Sequence, residues 1–256
     1  MNNRRQHANI LLIEFTGSVV ETKVEALLHV LRDTGLPQKS VCSIMLRINS
    51  NGGSLGAAQS FAEGLLIMKA ELGVPLRCFV GEQALSAAFY VALSADQLVV
   101  NRSALLASVG AVREHYSIVE QATRVGVDVQ TFSSCVHKSA MNPFSKVTVD
   151  QESAVQETPD ETASHFIEWI KPRRPTATLG ASQLDGLSSI VTGARCINLN
   201  LADREGGLFA ALDRAGKLGN TDSPGLLRVN LDERAEQRSL QQRIIQFAFE
   251  KVFVCK

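Results

Sequence analysis

Three short stretches of the chain carry residue types suited to acyl transfer: I-N-S-N-G-G at 48–53, A-L-S-A-A-F-Y at 84–90 and H-K-S-A-M-N-P at 137–143. Asn51, Gly52 and Gly53 close an apolar run that reads as a buried strand. Adjacent glycines at a strand end let the backbone turn sharply and bring its N–H groups close to a substrate carbonyl. Ser86 stands at the start of a second apolar run, rich in small residues, that reads as a buried helix. At such a boundary the first N–H groups are unpaired and the helix dipole is positive. A nucleophilic hydroxyl and donors for an oxyanion are thus at hand, and the missing part is a base. Lys138 is the best candidate. A serine hydroxyl must lose its proton as it attacks, and a lysine can take it once burial in apolar surroundings disfavours the ammonium. Both residues also have plainer uses. Serine is a frequent helix N-cap, which is compatible with a nucleophile, and lysine is rarely buried.

Periodicity supplies the elements that must hold these residues. Residues 9–15 read as a strand and 19–33 as a helix with Val20, Val24, Leu27, Leu28 and Leu31 on one face. Residues 41–48 form the next strand, and 55–72 a helix ended by Gly73. A strand is expected over 75–80, then the Ser86 turn and helix, then short strands at 97–100 and 108–112. A helix over 115–125 and a strand over 127–132 follow. Alternating strands and helices predict an α/β domain with a largely parallel sheet. Ligands of such sheets sit beyond the C-terminal strand ends, where both the glycine pair and Ser86 fall.

After Pro143 the chain is polar over 145–161, then a helix through Phe166, Ile167, Trp169 and Ile170 is expected to stop before Pro172. The basic K-P-R-R-P at 171–175 reads as a solvated helix end. The loop G-N-T-D-S-P-G at 219–225 marks a boundary. The expected organisation is one catalytic domain over 1–218, followed at 219–256 by a linker and an amphipathic helical tail that packs on the core or on a neighbouring subunit, with contact to a membrane surface as the lesser alternative.

Five motifs in order give the chain a resemblance. I-N-S-N-G-G, L-S-A-A-F-Y, A-S-V-G-A at 107–111, C-V-H-K-S-A-M-N-P at 135–143 and N-L-A-D-R-E-G at 200–206 are similar to those of the signal peptide peptidase A family. These are serine peptidases of the Clp-protease/crotonase fold, with repeated β-β-α units. The resemblance implies Ser86 as nucleophile, Lys138 as general base and Ser108 as the hydroxyl that orients the lysine amine. It implies an oxyanion hole from the backbone of Gly52 and Gly53 with the N–H of Ala87. It also implies a homo-oligomer acting on peptides or unfolded segments. Ser86-Ala87-Ala88 and the H-K-x-x-x-N-P string resemble the phage capsid-maturation branch, whose substrates are scaffold proteins. Asn51 replaces a usual proline and Ala87-Ala88 a usual glycine pair, which opens a further reading as a catalytically degenerate assembly scaffold. His115, with Asp128 or Asp185, is the rival base that a Clp-type Ser-His-Asp triad would use. His137 is expected only to shape the Lys138 loop.

The bulk properties exclude several classes. The 26 Lys+Arg balance 26 Asp+Glu, so no net field steers the chain to nucleic acid or anionic lipid. The five cysteines are scattered singly with no ligand spacing, and neither a metal site, a nucleotide loop nor any cofactor is expected. Scattered, unpaired cysteines and no long apolar run predict a cytoplasmic protein without a membrane span. A crotonase-type acyl-CoA hydratase or isomerase shares the expected fold, but needs acid/base carboxylates, and only Glu82 lies near either glycine-bearing loop.

Overall fold

A computed structural model describes residues 9–26, 41–178, 187–218 and 225–230. The expected helix beyond residue 26, Asp185 and the tail at 231–256 lie outside the described residues. Two compact units are distinguished. One comprises Met1–Val109 with Ile170–Lys256, the other Gly110–Trp169.

The first unit is built on one sheet. Its strands are β1 (Asn9–Thr16), β2 (Val41–Ser50), β3 (Leu76–Leu85), β4 (Gln97–Val100), β5 (Leu105–Ala107), β6 (Ile190–Thr192), β7 (Arg204–Glu205) and β8 (Gly225–Asn230). The order is β6-β5-β3-β2-β1-β8, with β4 paired to β3 and to β7. Every pairing is parallel except β5 with β6. β8 adds to the outer side of β1, so the sheet takes up a strand from beyond the 219–225 loop.

Both sheet faces are covered, which is why the strands read as near-continuous apolar runs. On one face Ile10, Leu12, Met45, Phe79 and Val99 pack with Ala211 and Ala215 of the helix Leu208–Leu218. Phe15 meets Phe61 of α1 (Leu55–Leu72), ring centroids 5.1 Å apart. α1 is bounded as its sequence requires. Ser54 Oγ accepts the Ala57 N–H, and Gly73 takes the left-handed cap with φ 66°.

β3 is longer than expected and divides its pairing. Residues 77–80 pair with β4, and 83–85 pair with β5. The strand therefore runs straight to Ser86, and α2 (Ala87–Ala92) follows without a loop. β5 ends at Ala107, short of the expected 108–112 strand, because Ala107 and Ser108 both adopt positive φ (71° and 55°). Left-handed backbone cannot continue a strand, and it costs roughly 1–2 kcal/mol per non-glycine residue.

In the second unit the helix expected over 115–125 starts later, as α3, Val119–Arg124. Residues 115 and 118 are tied elsewhere. Ile118 N–H donates to the Pro143 carbonyl, and His115 Nε2 lies 3.1 Å from the Asn142 carbonyl oxygen. The run 127–132 is no strand, since its alternating valines have no ladder partner. A 3₁₀ turn, Val136–Ser139, leads toward α4, Val149–Arg173. α4 begins within the polar run and passes Pro172 before it ends. Arg174 next to it is not simply solvated: its guanidinium pairs with Asp203 at 3.2 Å and donates to the Leu201 carbonyl.

Candidate active site

Three strand ends of the parallel sheet converge. The pairs Ser50↔Ala84 and Leu85↔Ala107 set the glycine loop, Ser86 and Ser108 one step past neighbouring strands, which stand about 4.8 Å apart. The Ser86 N–H donates to the Ala107 carbonyl at 2.7 Å. The Ser108 N–H donates to Ser189 O, and the Val109 N–H to Leu187 O, so a second segment pins the Ser108 loop from its other side.

Ser86 is half-buried and has φ 49°, ψ −123°. This conformation is unfavourable for any residue with a Cβ and costs on the order of 1–3 kcal/mol. The N-cap explanation for Ser86 does not account for it, because its side chain makes no capping hydrogen bond. The hydroxyl is thus held on a sharp strand-to-helix turn with its lone pairs unused among the described residues.

Glycine is required opposite it. A Cβ on Gly52 (φ 103°) would lie 2.8 Å from Leu85 O, 2.9 Å from Ser86 Cβ and 3.3 Å from Ala87 N. The absence of a side chain is what lets the loop lie against the serine turn. Val19 straps the loop from behind: its N–H donates to Gly52 O, and its carbonyl accepts the Ser54 N–H. The two glycine N–H groups differ. That of Gly52 donates to buried Ser50 Oγ at 3.1 Å. Those of Gly53 and Ala87 have no partner among the described residues. Ala87 opens α2, where an unpaired N–H is expected. Ser50 was not singled out from the sequence, although it stands inside I-N-S-N-G-G.

Glu82, the carboxylate that a crotonase reading would need, accepts a hydrogen bond of 2.6 Å from Asn49 Nδ2. Among the cysteines, burial pushes the Cys196 thiol up to about 12 and raises Cys78 as well. Neither supplies a thiolate near neutrality.

Lys138 belongs to the second unit, in the Val136–Ser139 turn, and is exposed in the single chain. Its backbone N–H donates to the Cys135 carbonyl. The side chain has no partner among the described residues. His137 beside it is exposed too. His115 is spoken for by the Asn142 carbonyl and borders a groove of about 580 Å³ between Ala140, Met141, Val147 and Glu152. Lys138 does not line that groove. Among the described residues there is no cluster of three metal-binding side chains, and no helix is long and apolar enough to cross a membrane.

Known proteins can now be set beside this geometry. A Methanocaldococcus jannaschii protein named as a protease is 24% identical over 76% of this chain and 61% of its own length. An Enterococcus faecium protein named as a signal peptide peptidase is 23% identical over 70% of this chain and 52% of its own. The chain thus spans little more than half the length of these relatives. A Brucella melitensis protein named as the Na(+)/H(+) antiporter NhaA also aligns, 22% identical over 82% of this chain, but that is 29% of its own length. Among solved structures, a serine-to-alanine mutant of the 1510-N membrane-bound stomatin-specific protease superposes with a TM-score of 0.54 at 10% identity. It covers 87% of this chain and 97% of that one. The fold is that of the Clp-protease/crotonase class, with a mixed α/β architecture and a mostly parallel sheet. Residues 69–222, from within α1 to just short of β8, match the profile described as Peptidase family S49, and the chain belongs to that family.

Proposed function

We propose that the chain is a serine endopeptidase that cleaves peptides or unfolded protein segments through an acyl-enzyme, with Ser86 as nucleophile and Lys138 as base. The observation that carries this reading is the strained, half-buried Ser86 turn, whose hydroxyl is unshared and which lies against a glycine loop. Strain of this kind persists where surrounding structure enforces it, and it concentrates at functional sites. Membership of family S49 supports the same chemistry.

In this mechanism the neutral Lys138 amine takes the Ser86 proton as Oγ attacks the scissile carbonyl carbon. The carbonyl oxygen becomes an oxyanion and is met by the N–H groups of Gly53 and Ala87. Gly52 contributes its lack of a side chain rather than its N–H, which Ser50 occupies. The lysine ammonium then protonates the leaving amine, the C–N bond breaks, and water, deprotonated by the same amine, releases the acyl group. Ser108 is proposed to orient that amine. Preorganised donors at an oxyanion are worth about 10²–10³ in rate each.

Exposed Lys138 must lose water before it can serve as a base. Substrate laid over the site, or a neighbouring subunit, would remove it, and the homo-oligomer implied by the resemblance provides the second route. The decisive experiment is labelling with a fluorophosphonate probe. Wild type should acquire the probe on Ser86, Ser86→Ala should not, and Lys138→Ala should slow acylation at least about 10²-fold. Acylation that survives Lys138→Ala but is lost in His115→Ala would transfer the base role to the histidine. A folded protein whose Ser86 never reacts would leave the degenerate-scaffold reading in possession. The phage-type reading differs only in substrate, and cleavage of a capsid scaffold protein in preference to unfolded casein would select it.

A further inference from the structure

We infer that Gln151 is a positioning residue for the lysine-bearing turn, an inference that rests on Lys138 acting as base. Gln151 is a polar side chain only 6% exposed, on the first turn of α4. Both ends of its carboxamide are used. Oε1 accepts the Thr148 N–H at 3.0 Å, while Thr148 Oγ1 accepts the Gln151 N–H at 3.4 Å. That reciprocal pair is the capping box of a T-x-x-Q sequence, and alone it would explain a glutamine here. It does not explain the other end. Nε2 donates to the Val136 carbonyl at 2.6 Å and reaches Ser139 Oγ at 3.5 Å.

Val136 and Ser139 are the first and last residues of the turn that displays Lys138. Besides the bonds inside the 3₁₀ turn itself, the Lys138 N–H donates to Cys135 O, the Ala140 N–H to His137 O and Ser139 Oγ to Val136 O. Turns this short are held weakly by themselves. The buried Gln151 side chain, in the first turn of a 25-residue helix, therefore sets where the turn sits. The far side is fixed independently by Asn142, whose Nδ2 donates to Thr131 and whose Oδ1 accepts the Phe144 N–H. Gln151 never needs to touch substrate. It acts through the backbone on either side of the lysine.

Capping and positioning can be separated because glutamate is as good as glutamine at this place in a capping box, and its charge suits a helix N-terminus. If Gln151 only capped α4, Gln151→Glu would be neutral or stabilising at every pH. If it positions the turn, the ionised carboxylate loses the donor and faces the Val136 carbonyl, whereas the protonated acid can still donate to it. The experiment follows the rate of Ser86 acylation by a fluorophosphonate against pH in wild type, Gln151→Glu, Thr148→Ala and Lys138→Ala. Expected for Gln151→Glu is a loss of about 10-fold or more in the limiting rate that deepens as pH rises, with the probe's apparent affinity and the melting temperature little changed. Thr148→Ala should lower the melting temperature without altering the pH profile. A Gln151→Glu profile parallel to wild type, with Lys138→Ala inactive, would overturn the positioning role and leave the base assignment standing. Full activity in Lys138→Ala would instead remove the base assignment, and the inference with it.

Discussion

Gly52 and Gly53 are neighbours, yet an added methyl group meets different atoms at each. On Gly52 it would press on Leu85 O, Ser86 Cβ and Ala87 N, all parts of the serine turn. On Gly53 it would come within 2.3 Å of Val19 O and 2.9 Å of Val19 N, the strap behind the loop. Both glycines hold positive φ, 103° and 149°, so each substitution carries backbone strain as well. Gly52→Ala should therefore act on the rate, displacing the proposed nucleophile and oxyanion donor together and slowing Ser86 acylation by about 10²-fold or more. Gly53→Ala should act first on stability, by about 2–4 kcal/mol, as a strained backbone contact is forced apart. Thermal melting and acylation rate, measured on both variants, check the division. Indistinguishable effects of the two on both measurements would show that the strap and the serine turn are not separately held. Ser50 belongs to the same argument, since its hydroxyl takes the Gly52 N–H, which is why the proposed oxyanion hole is assigned to Gly53 and Ala87.

At the level of elements, α1 shows how local chemistry sets a boundary. Ser54 Oγ accepts the Ala57 N–H at 3.3 Å, and Gly73 returns its N–H to Lys69 O in left-handed backbone. Ser54→Ala should cost about 1 kcal/mol in urea unfolding, and Gly73→Ala a similar amount from the φ penalty; an unchanged midpoint in either would mean that tertiary packing alone fixes that end. α1 was legible from the sequence because pattern and caps agree, and β1, β2, β4 and α2 from their apolar runs. The second unit was not legible, and its residues show why. The helix expected over 115–125 begins only at Val119, because the Pro143 carbonyl takes the Ile118 N–H and the Asn142 carbonyl engages the His115 ring. Val127 and Val129 alternate like a strand but have no ladder partner among the described residues. Thr148-x-x-Gln151 is a readable helix start, but the long polar run beyond Pro143 concealed it. The glycine–serine half of the candidate site followed from types and spacing. Which glycine N–H stays free, and how exposed Lys138 is, depended on contacts that no local pattern encodes.

For the whole molecule, the distribution of exposed apolar side chains is uneven. Val112, Tyr116, Val125, Phe132, Val136 and Val149 are all more than half exposed and lie in Gly110–Trp169, while Phe209 is comparably exposed in the other unit. Soluble monomers seldom leave so much apolar surface uncovered on a stretch this short, and such surface ordinarily marks an interface. A second copy, as in the proposed homo-oligomer, would also meet the chemical need of the proposed base, because Val136 shares its turn with Lys138. Covering one strips water from the surroundings of the other, the condition under which a lysine becomes a base. The expected outcome is a concentration-dependent oligomer in analytical ultracentrifugation. Phe132→Glu combined with Val112→Glu should shift it toward monomer, since these side chains are 90% and 87% exposed in the single chain and their replacement leaves its core intact. Circular dichroism should be unchanged while Ser86 acylation falls, and raising the protein concentration should restore part of the lost rate by mass action. A wild-type chain that stays monomeric at every concentration yet acylates at full rate would show that substrate alone dries the lysine.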